Sequence, residues 1–132
     1  SLCVVYSNYD KAEVKESKTN GYFIVQQNGT ANLKEFVSLY MPFRMKGSWD
    51  AYSCAGTLEG IGMVLLNKFE DYGTLRFHSI ESLHQFFKRE SPDLANINKY
   101  QVFYLKALKA IKDHHYFEMT THKFLVIAQK VS

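Results

Sequence analysis

The residues of this sequence best suited to covalent chemistry are one cysteine and one histidine, Cys54 and His122. A thiol becomes a nucleophile when a base removes its proton, and the base is often far away in sequence. We therefore consider Cys54 as the attacking group of a thiol hydrolase or acyltransferase, with His122 as its base. Asp50 is a candidate to orient the imidazole.

The segments around these two residues resemble papain-like thiol hydrolases, in which the cysteine begins a helix and the histidine begins a strand. Ser53-Cys54-Ala55-Gly56 matches the first arrangement if the residues that follow are helical, and His122-Lys123-Phe124-Leu125-Val126 matches the second. The resemblance implies that Cys54 and His122 are catalytic. It is the alternative interpretation of this sequence.

The pattern around Cys54 favours a strand instead. On a strand, Trp49, Ala51 and Ser53 would face opposite Asp50, Tyr52 and Cys54. Gly60 and Gly62 would each weaken a helix by about 1 kcal/mol relative to alanine. Free cysteine is among the most buried residue types. We therefore predict that Cys54 is a buried strand residue beyond hydrogen-bond reach of His122.

Four residues near the end of the chain are of types that bind metals: His114, His115, Glu118 and His122. On one continuous helix, three of them would share a face and could hold zinc or iron. The β-branched pair Thr120 and Thr121 favours a strand there. We therefore predict neither a metal site nor a cofactor.

The hairpin expected around Lys68 and Arg76 carries cations next to aromatic rings, a combination that binds RNA in other proteins. The net charge is only +3, and no nucleic-acid-binding signature is present. RNA binding is therefore a second alternative.

Aromatic residues make up 15% of the chain, and some of them lie off the predicted helix stripes. Exposed aromatic patches mark partner sites on many proteins. Phe43, Phe86 and Tyr100 are the candidates here. The first functional prediction is a non-enzymatic protein-interaction or regulatory module that binds another protein through these rings.

The first half of the chain predicts two strands, at Leu2–Tyr6 and Gly21–Gln27, joined by a mobile polar connection at Ser7–Asn20. Asn28-Gly29-Thr30 predicts a turn after the second strand. A helix follows, because Asn32 and Glu35 have the spacing of a capping box and Pro42 ends the apolar stripe.

The second half predicts an antiparallel meander of three strands over residues 46–79, with a turn at Glu70-Asp71-Tyr72-Gly73. A short helix ending near Glu90 follows, and Ser91-Pro92 predicts the start of a long helix that ends around Asp113. The buried stripe of the long helix includes Leu105 and Leu108. Phe124–Ala128 is the last predicted strand.

The expected order is thus β-β-α-β-β-β-α-α-β, an α+β fold with five or six mostly antiparallel strands covered by two or three helices. The length of 132 residues suits a single compact domain, which a longer chain could also contain. No apolar run approaches the roughly 20 residues of a membrane-spanning helix. Two cysteines are too few for a disulfide framework, so we expect a cytoplasmic or other intracellular location.

Overall fold

The computed structural model describes residues 3–6 and 21–130 of the chain. Contacts divide the chain into two compact units, one formed by Ser1–Gly73 with Thr121–Ser132 and the other by Thr74–Thr120. The strands are β1 Cys3–Tyr6, β2 Tyr22–Asn28, β3 Met63–Phe77 and β4 Phe117–Lys130. The α-helices are α1 Lys34–Tyr40, α2 Ala51–Gly60, α3 Ile80–Glu90 and α4 Gln101–His114, with short 3-10 helices at Pro42–Met45 and Pro92–Ala95.

The strands form a single sheet in the order β1-β2-β4-β3. β1 runs parallel to β2, and β2, β4 and β3 form an antiparallel set in which Phe23 lies opposite Ala128. The fold is α+β, but the expectation of five or six strands is wrong for the described residues. The predicted connection at Ser7–Asn20 lies outside the described residues.

The prediction of a strand at Cys54 is wrong, because the first strand of the expected meander is helix α2. Asp50 caps it: its Oδ1 accepts the Ser53 backbone N–H at 2.9 Å, and the Ser53 hydroxyl accepts the Asp50 N–H at 2.8 Å. Four α2 residues at helical spacing are buried, namely Ala51, Cys54, Ala55 and Leu58. Their burial outweighs the propensity cost of the exposed Gly56 and Gly60.

The other two strands of the expected meander are one strand, β3, of 15 residues. The predicted turn at Glu70-Asp71-Tyr72-Gly73 is extended backbone within it. Met63 and Leu65 at the beginning of β3 pack against the core, and Glu70 further along contacts the first residue of α2.

The helix predicted from Ser91 to Asp113 is interrupted. The 3-10 helix Pro92–Ala95 ends before Asn96, whose Oδ1 accepts the Lys99 N–H at 3.0 Å, and α4 begins only at Gln101. The Tyr104 hydroxyl donates to the Leu94 carbonyl at 3.0 Å. This bond ties the short helix to α4.

Helix α1 lies where it was predicted, but its start is different. The residue before it is Leu33, with a left-handed φ of 53°, and no side chain caps it. Asn32 is not the cap, because its Oδ1 accepts the backbone N–H of His122 at 3.0 Å.

The core of the first unit consists of β2, β4, α2 and the beginning of β3. Phe23, Val25, Cys54 and Val126 are fully buried in it. The strands predicted at Gly21–Gln27 and Phe124–Ala128 are confirmed, the second as part of a longer strand.

The second unit has an aromatic core. Phe87 of α3 lies 5.8 Å from Phe103 and 6.3 Å from Tyr104, both of α4, measured between ring centroids in edge-to-face geometry. Phe103 in turn contacts Phe117 of β4 at 5.5 Å. The predicted end of α3 at Glu90 is confirmed.

None of the helices within residues 21–130 combines the length and the apolar character needed to cross a membrane.

Candidate functional site

Polar side chains of the first unit gather where the two parallel strands end. β1 and β2, which run parallel, end at Tyr6 and Asn28. β4 runs past this edge, since Lys123 pairs with Asn28 and the Gly29 N–H donates to the His122 carbonyl at 2.8 Å. His122 therefore lies just beyond the end of β2.

The His122 side chain is 2% exposed and is held from two sides. Its Nδ1 accepts the backbone N–H of Ala31 at 3.2 Å, and its Nε2 lies 2.8 Å from Oε2 of Glu70. Because Nδ1 is an acceptor, the ring proton lies on Nε2 and is donated to the carboxylate. The backbone thus selects the Nε2–H tautomer.

Glu70 joins this histidine to helix α2. Its Oε1 accepts the N–H of Ala51, the first residue of α2, at 2.7 Å. The amino end of a helix carries positive partial charge, so the Ala51 N–H is a good donor to the carboxylate. The side chain is 26% exposed. Glu70 is therefore a positioned carboxylate that still reaches solvent.

Gly29 is required at the end of β2 because the imidazole occupies the space next to it. A Cβ at Gly29 would lie 2.0 Å from Cε1 of His122, which is shorter than any permitted distance between non-bonded atoms. Only glycine allows the backbone and the buried ring to approach so closely.

Tyr72 covers the outer side of the histidine. Its ring stacks on the His122 ring at a centroid distance of 4.2 Å and an angle of 16°, while the tyrosine remains 60% exposed. Desolvation raises the pKa of Tyr72, and the negative charges of Glu70 and Asp50 raise it further. Glu70 and Asp50 therefore place negative charge near the Tyr72 hydroxyl.

The arrangement is suited to accepting a hydrogen bond or a proton. A carboxylate has about four lone-pair positions, and the bonds from Ala51 and His122 use one on each oxygen of Glu70. The remaining positions are available to the N–H or O–H group of a ligand. The buried N–H groups keep the carboxylate oriented for it.

No hydrogen bond joins Cys54 to His122 in the described part of the chain, where the imidazole bonds Ala31 and Glu70 instead. Cys54 lies in the first half of α2, but its side chain is fully buried in the core. Burial raises the pKa of the Cys54 thiol to about 11. This is the opposite of the activation that a nucleophilic thiol needs. Asp50 serves as the α2 cap.

The metal-ligand types near the end of the chain do not share a helix face. α4 ends at His114, and Glu118 and His122 belong to β4. Glu118 forms an ion pair with Arg76. Residues 21–130 contain no group of three potential metal ligands.

The cations considered for RNA binding both contact aromatic rings and lie in different units. Lys68 Nζ lies 3.6 Å from the centroid of the Tyr52 ring in the first unit. In the second unit, the Arg76 guanidinium lies 4.0 Å from the centroid of Tyr116 and pairs with Glu118.

The three aromatic candidates differ in exposure. Phe43, on the first 3-10 helix, is 64% exposed. Phe86 and Tyr100 are partly buried, and the Phe86 ring contacts Phe77 at 5.4 Å and Phe87 at 5.5 Å. Phe43 alone of the three is a largely exposed ring.

A pocket of about 290 Å³ in the first unit lies next to the site strands. Phe69 and Asp71 of β3 line it with Lys123 and Leu125 of β4 and Gln26 of β2. In β3 these two residues alternate with Glu70 and Tyr72, so the pocket lies on the other face of the sheet.

Sequence reasoning singled out His122 as a base for Cys54, but not the residues that contact its side chain. Glu70 was placed in a turn and Asn32 was assigned to a helix cap. The sequence signal that could have identified Glu70 is weak. It consists of one acidic residue in a stretch where the flanking side chains alternate as they do on a strand.

No protein-family model matches this chain, and no curated protein matches it in sequence. Among solved structures, it is similar to a putative methyltransferase from Bacillus halodurans C-125, with a TM-score of 0.52 and 15% identity. The likeness covers 90% of this chain and 62% of the bacterial protein, so this chain spans less than two thirds of that length. At this identity the likeness establishes the fold.

Proposed function

We propose that this protein takes part in methyl transfer and that Glu70, held by His122, receives the acceptor substrate. The observation that carries the proposal is the structural likeness to the Bacillus halodurans protein over 90% of the chain. The polar cluster at the carboxyl end of β2 supports it, because Glu70 keeps lone-pair positions for a ligand beyond its bonds to Ala51 and His122.

The residues after β2 do not fit a nucleoside-type methyl donor. Nucleotide-type ligands are commonly held by glycine turns that open a helix and leave room for a phosphate or sugar. At Gly29 that room is filled by the imidazole of His122. We therefore assign these residues to the acceptor and not to the donor.

In this proposal Glu70 is the group that touches the acceptor. An amine or hydroxyl group at the opening donates its hydrogen bond to the carboxylate. A sulfonium donor would supply the methyl group: its carbon–sulfur bond would break to leave a thioether as the acceptor heteroatom bonds the methyl carbon, and the proton of the heteroatom would pass to Glu70. His122 is a positioning residue, since its Nε2–H holds the carboxylate through the 2.8 Å bond. The exposed face of Tyr72 forms one wall of the opening.

The test is a methyl-transfer assay on the full-length protein with tritiated S-adenosylmethionine and a panel of amines, phenols, thiols and carboxylic acids. Glu70→Gln should lower the rate about a hundredfold or more, the usual effect of losing a general base. Glu59→Gln is the matched control, because Glu59 is an exposed α2 residue. Circular dichroism checks that both variants are folded. Transfer to no acceptor class, or an unchanged rate in folded Glu70→Gln, would contradict the proposal.

A second candidate is the protein-interaction module predicted from the aromatic residues. Its support is the exposure of Phe43, since a phenyl ring open to solvent suits the centre of a docking site. Phe43→Ala should weaken capture of a partner while leaving the fold intact. Unchanged capture by the folded variant would count against it.

A further inference from the structure

The outward face of α4 exposes large apolar side chains. Val102 and Leu105 are each 55% exposed. The helix instead buries Phe103, Tyr104 and Ala107. The expectation that Leu105 lies on the buried stripe is therefore wrong. Phe103, Tyr104 and Ala107 occupy the face of α4 that packs against the core, and Leu105 lies on the exposed face.

The same helix carries three exposed lysines, Lys106, Lys109 and Lys112. Asp113 is the only acidic residue of α4, so the helix has a net positive charge. Lys109 and Lys112 follow Val102 and Leu105 along the chain, Lys106 lies next to Leu105, and the exposed Leu108 lies between Lys106 and Lys109. The exposed surface of α4 thus combines apolar and basic side chains.

Both kinds of side chain point in the same direction. At about 100° per residue, Val102, Leu105, Lys109 and Lys112 fall within an arc of roughly 80°. From Val102 to Lys112 the helix axis is about 15 Å long at 1.5 Å per residue. One flat contact would therefore reach all four side chains.

We propose that this face of α4 binds the surface of an anionic lipid bilayer. Val102 and Leu105 enter the interface between headgroups and acyl chains, and Lys109 and Lys112 lie against lipid phosphates. A bilayer supplies apolar depth and negative charge at one surface, which is what this face requires.

Other occupants match the face less well. A second copy could cover Val102 and Leu105 but would bring no surplus of negative charge to Lys109 and Lys112, because its own α4 carries the same net positive charge. A nucleic acid would bind the lysines through its phosphates but would leave Val102 and Leu105 without a role. The bilayer alone uses both the apolar and the basic side chains of the face.

The test is co-sedimentation with vesicles, comparing phosphatidylcholine alone with a 3:1 mixture of phosphatidylcholine and phosphatidylserine. We expect binding to the anionic vesicles and little to the neutral ones. Reversing two charges in Lys109→Glu/Lys112→Glu should lower the partition coefficient about 30-fold or more, since each lysine near such a surface contributes about a fivefold factor and the new glutamates are repelled. Leu105→Gln, which keeps every charge, should lower it several-fold.

The matched control is Lys88→Glu/Arg89→Glu, which makes the same charge change at exposed positions of α3. It should reduce binding much less than the α4 variant. Circular dichroism and melting temperature check that each variant is folded. Equal losses in the two charge variants would overturn the proposal. So would sedimentation as a dimer through α4, or binding to single-stranded RNA without vesicle binding.

Discussion

The Nε2 atom of His122 and the Oε2 atom of Glu70 lie 2.8 Å apart, although 52 positions separate the two residues in sequence. Through this bond and the Glu70 contact with Ala51, one carboxylate connects β3, β4 and the amino end of α2. Removing one partner of a buried polar pair typically costs about 1–3 kcal/mol, because the other partner remains unsatisfied.

The first prediction concerns the proton on His122. Because its Nδ1 accepts the Ala31 N–H, nitrogen NMR of the folded protein at pH 7 should show the Nε2–H tautomer. In Glu70→Ala the same tautomer should persist, since Ala31 is unchanged. A signal from the Nδ1–H tautomer in the native protein would contradict the geometry.

The second prediction compares two glycines. Gly29→Ala should destabilise the first unit by about 2–3 kcal/mol, because its Cβ would overlap the His122 ring and displace it. Gly56→Ala is the control: a Cβ added there would meet no neighbouring side chain within 4 Å, and alanine favours a helix by up to about 1 kcal/mol. Urea unfolding followed by the fluorescence of Trp49, the single tryptophan, measures both. Equal effects would show that the ring does not occupy that space.

The third prediction concerns the reactivity of Cys54. In a Cys3→Ser background, iodoacetamide at pH 8 should label native Cys54 far more slowly than the urea-unfolded chain, because the thiol is buried and its pKa is raised to about 11. Rapid labelling of the native protein would restore the thiol-enzyme interpretation.

The same thiol makes stability depend on pH. The ordinary pKa of 9.0 applies to the unfolded chain, so between pH 9 and 11 the folded state retains a proton that the unfolded state has lost. The contribution of Cys54 to stability is therefore complete below about pH 9 and is lost as the pH rises through 11. Cys54→Ala should show a weaker decline over this range in urea titrations. A decline equal to that of the parent would argue against a raised pKa.

The fourth prediction separates the aromatic candidates by their roles in the fold. Phe43→Ala should change the free energy of unfolding by less than about 0.5 kcal/mol, since the ring is largely exposed. Phe86→Ala should cost clearly more, because the ring contacts Phe77 and Phe87. Thermal unfolding followed by circular dichroism compares them. Equal costs would contradict the difference in packing.

The spacing of apolar residues was sufficient to predict the helices and strands whose pattern fits only one kind of secondary structure. β2, α3 and the end of β4 follow from apolar runs and helical spacing, and the structure places them where the sequence predicts. The α+β class follows from the same elements.

The tertiary structure decided the identity of α2 and the position of Glu70. The residues of α2 fit either a strand or a helix, and the burial of Cys54 and Leu58 against the sheet selected the helix. The segment around Glu70 has the composition of a turn, yet bonds to His122 and Ala51 hold it in β3.

By itself, the sequence determined which side chains are apolar, charged or able to ionise, and where short-range spacing favours a helix or a strand. It did not determine which side chains meet, because contacts such as that of His122 with Glu70 join residues far apart in the chain. Nor did it determine which apolar face of α4 is exposed. The exposed face of α4 depends on which of its residues pack against Phe87, and these are Phe103 and Tyr104. Such contacts exist only after the chain has folded.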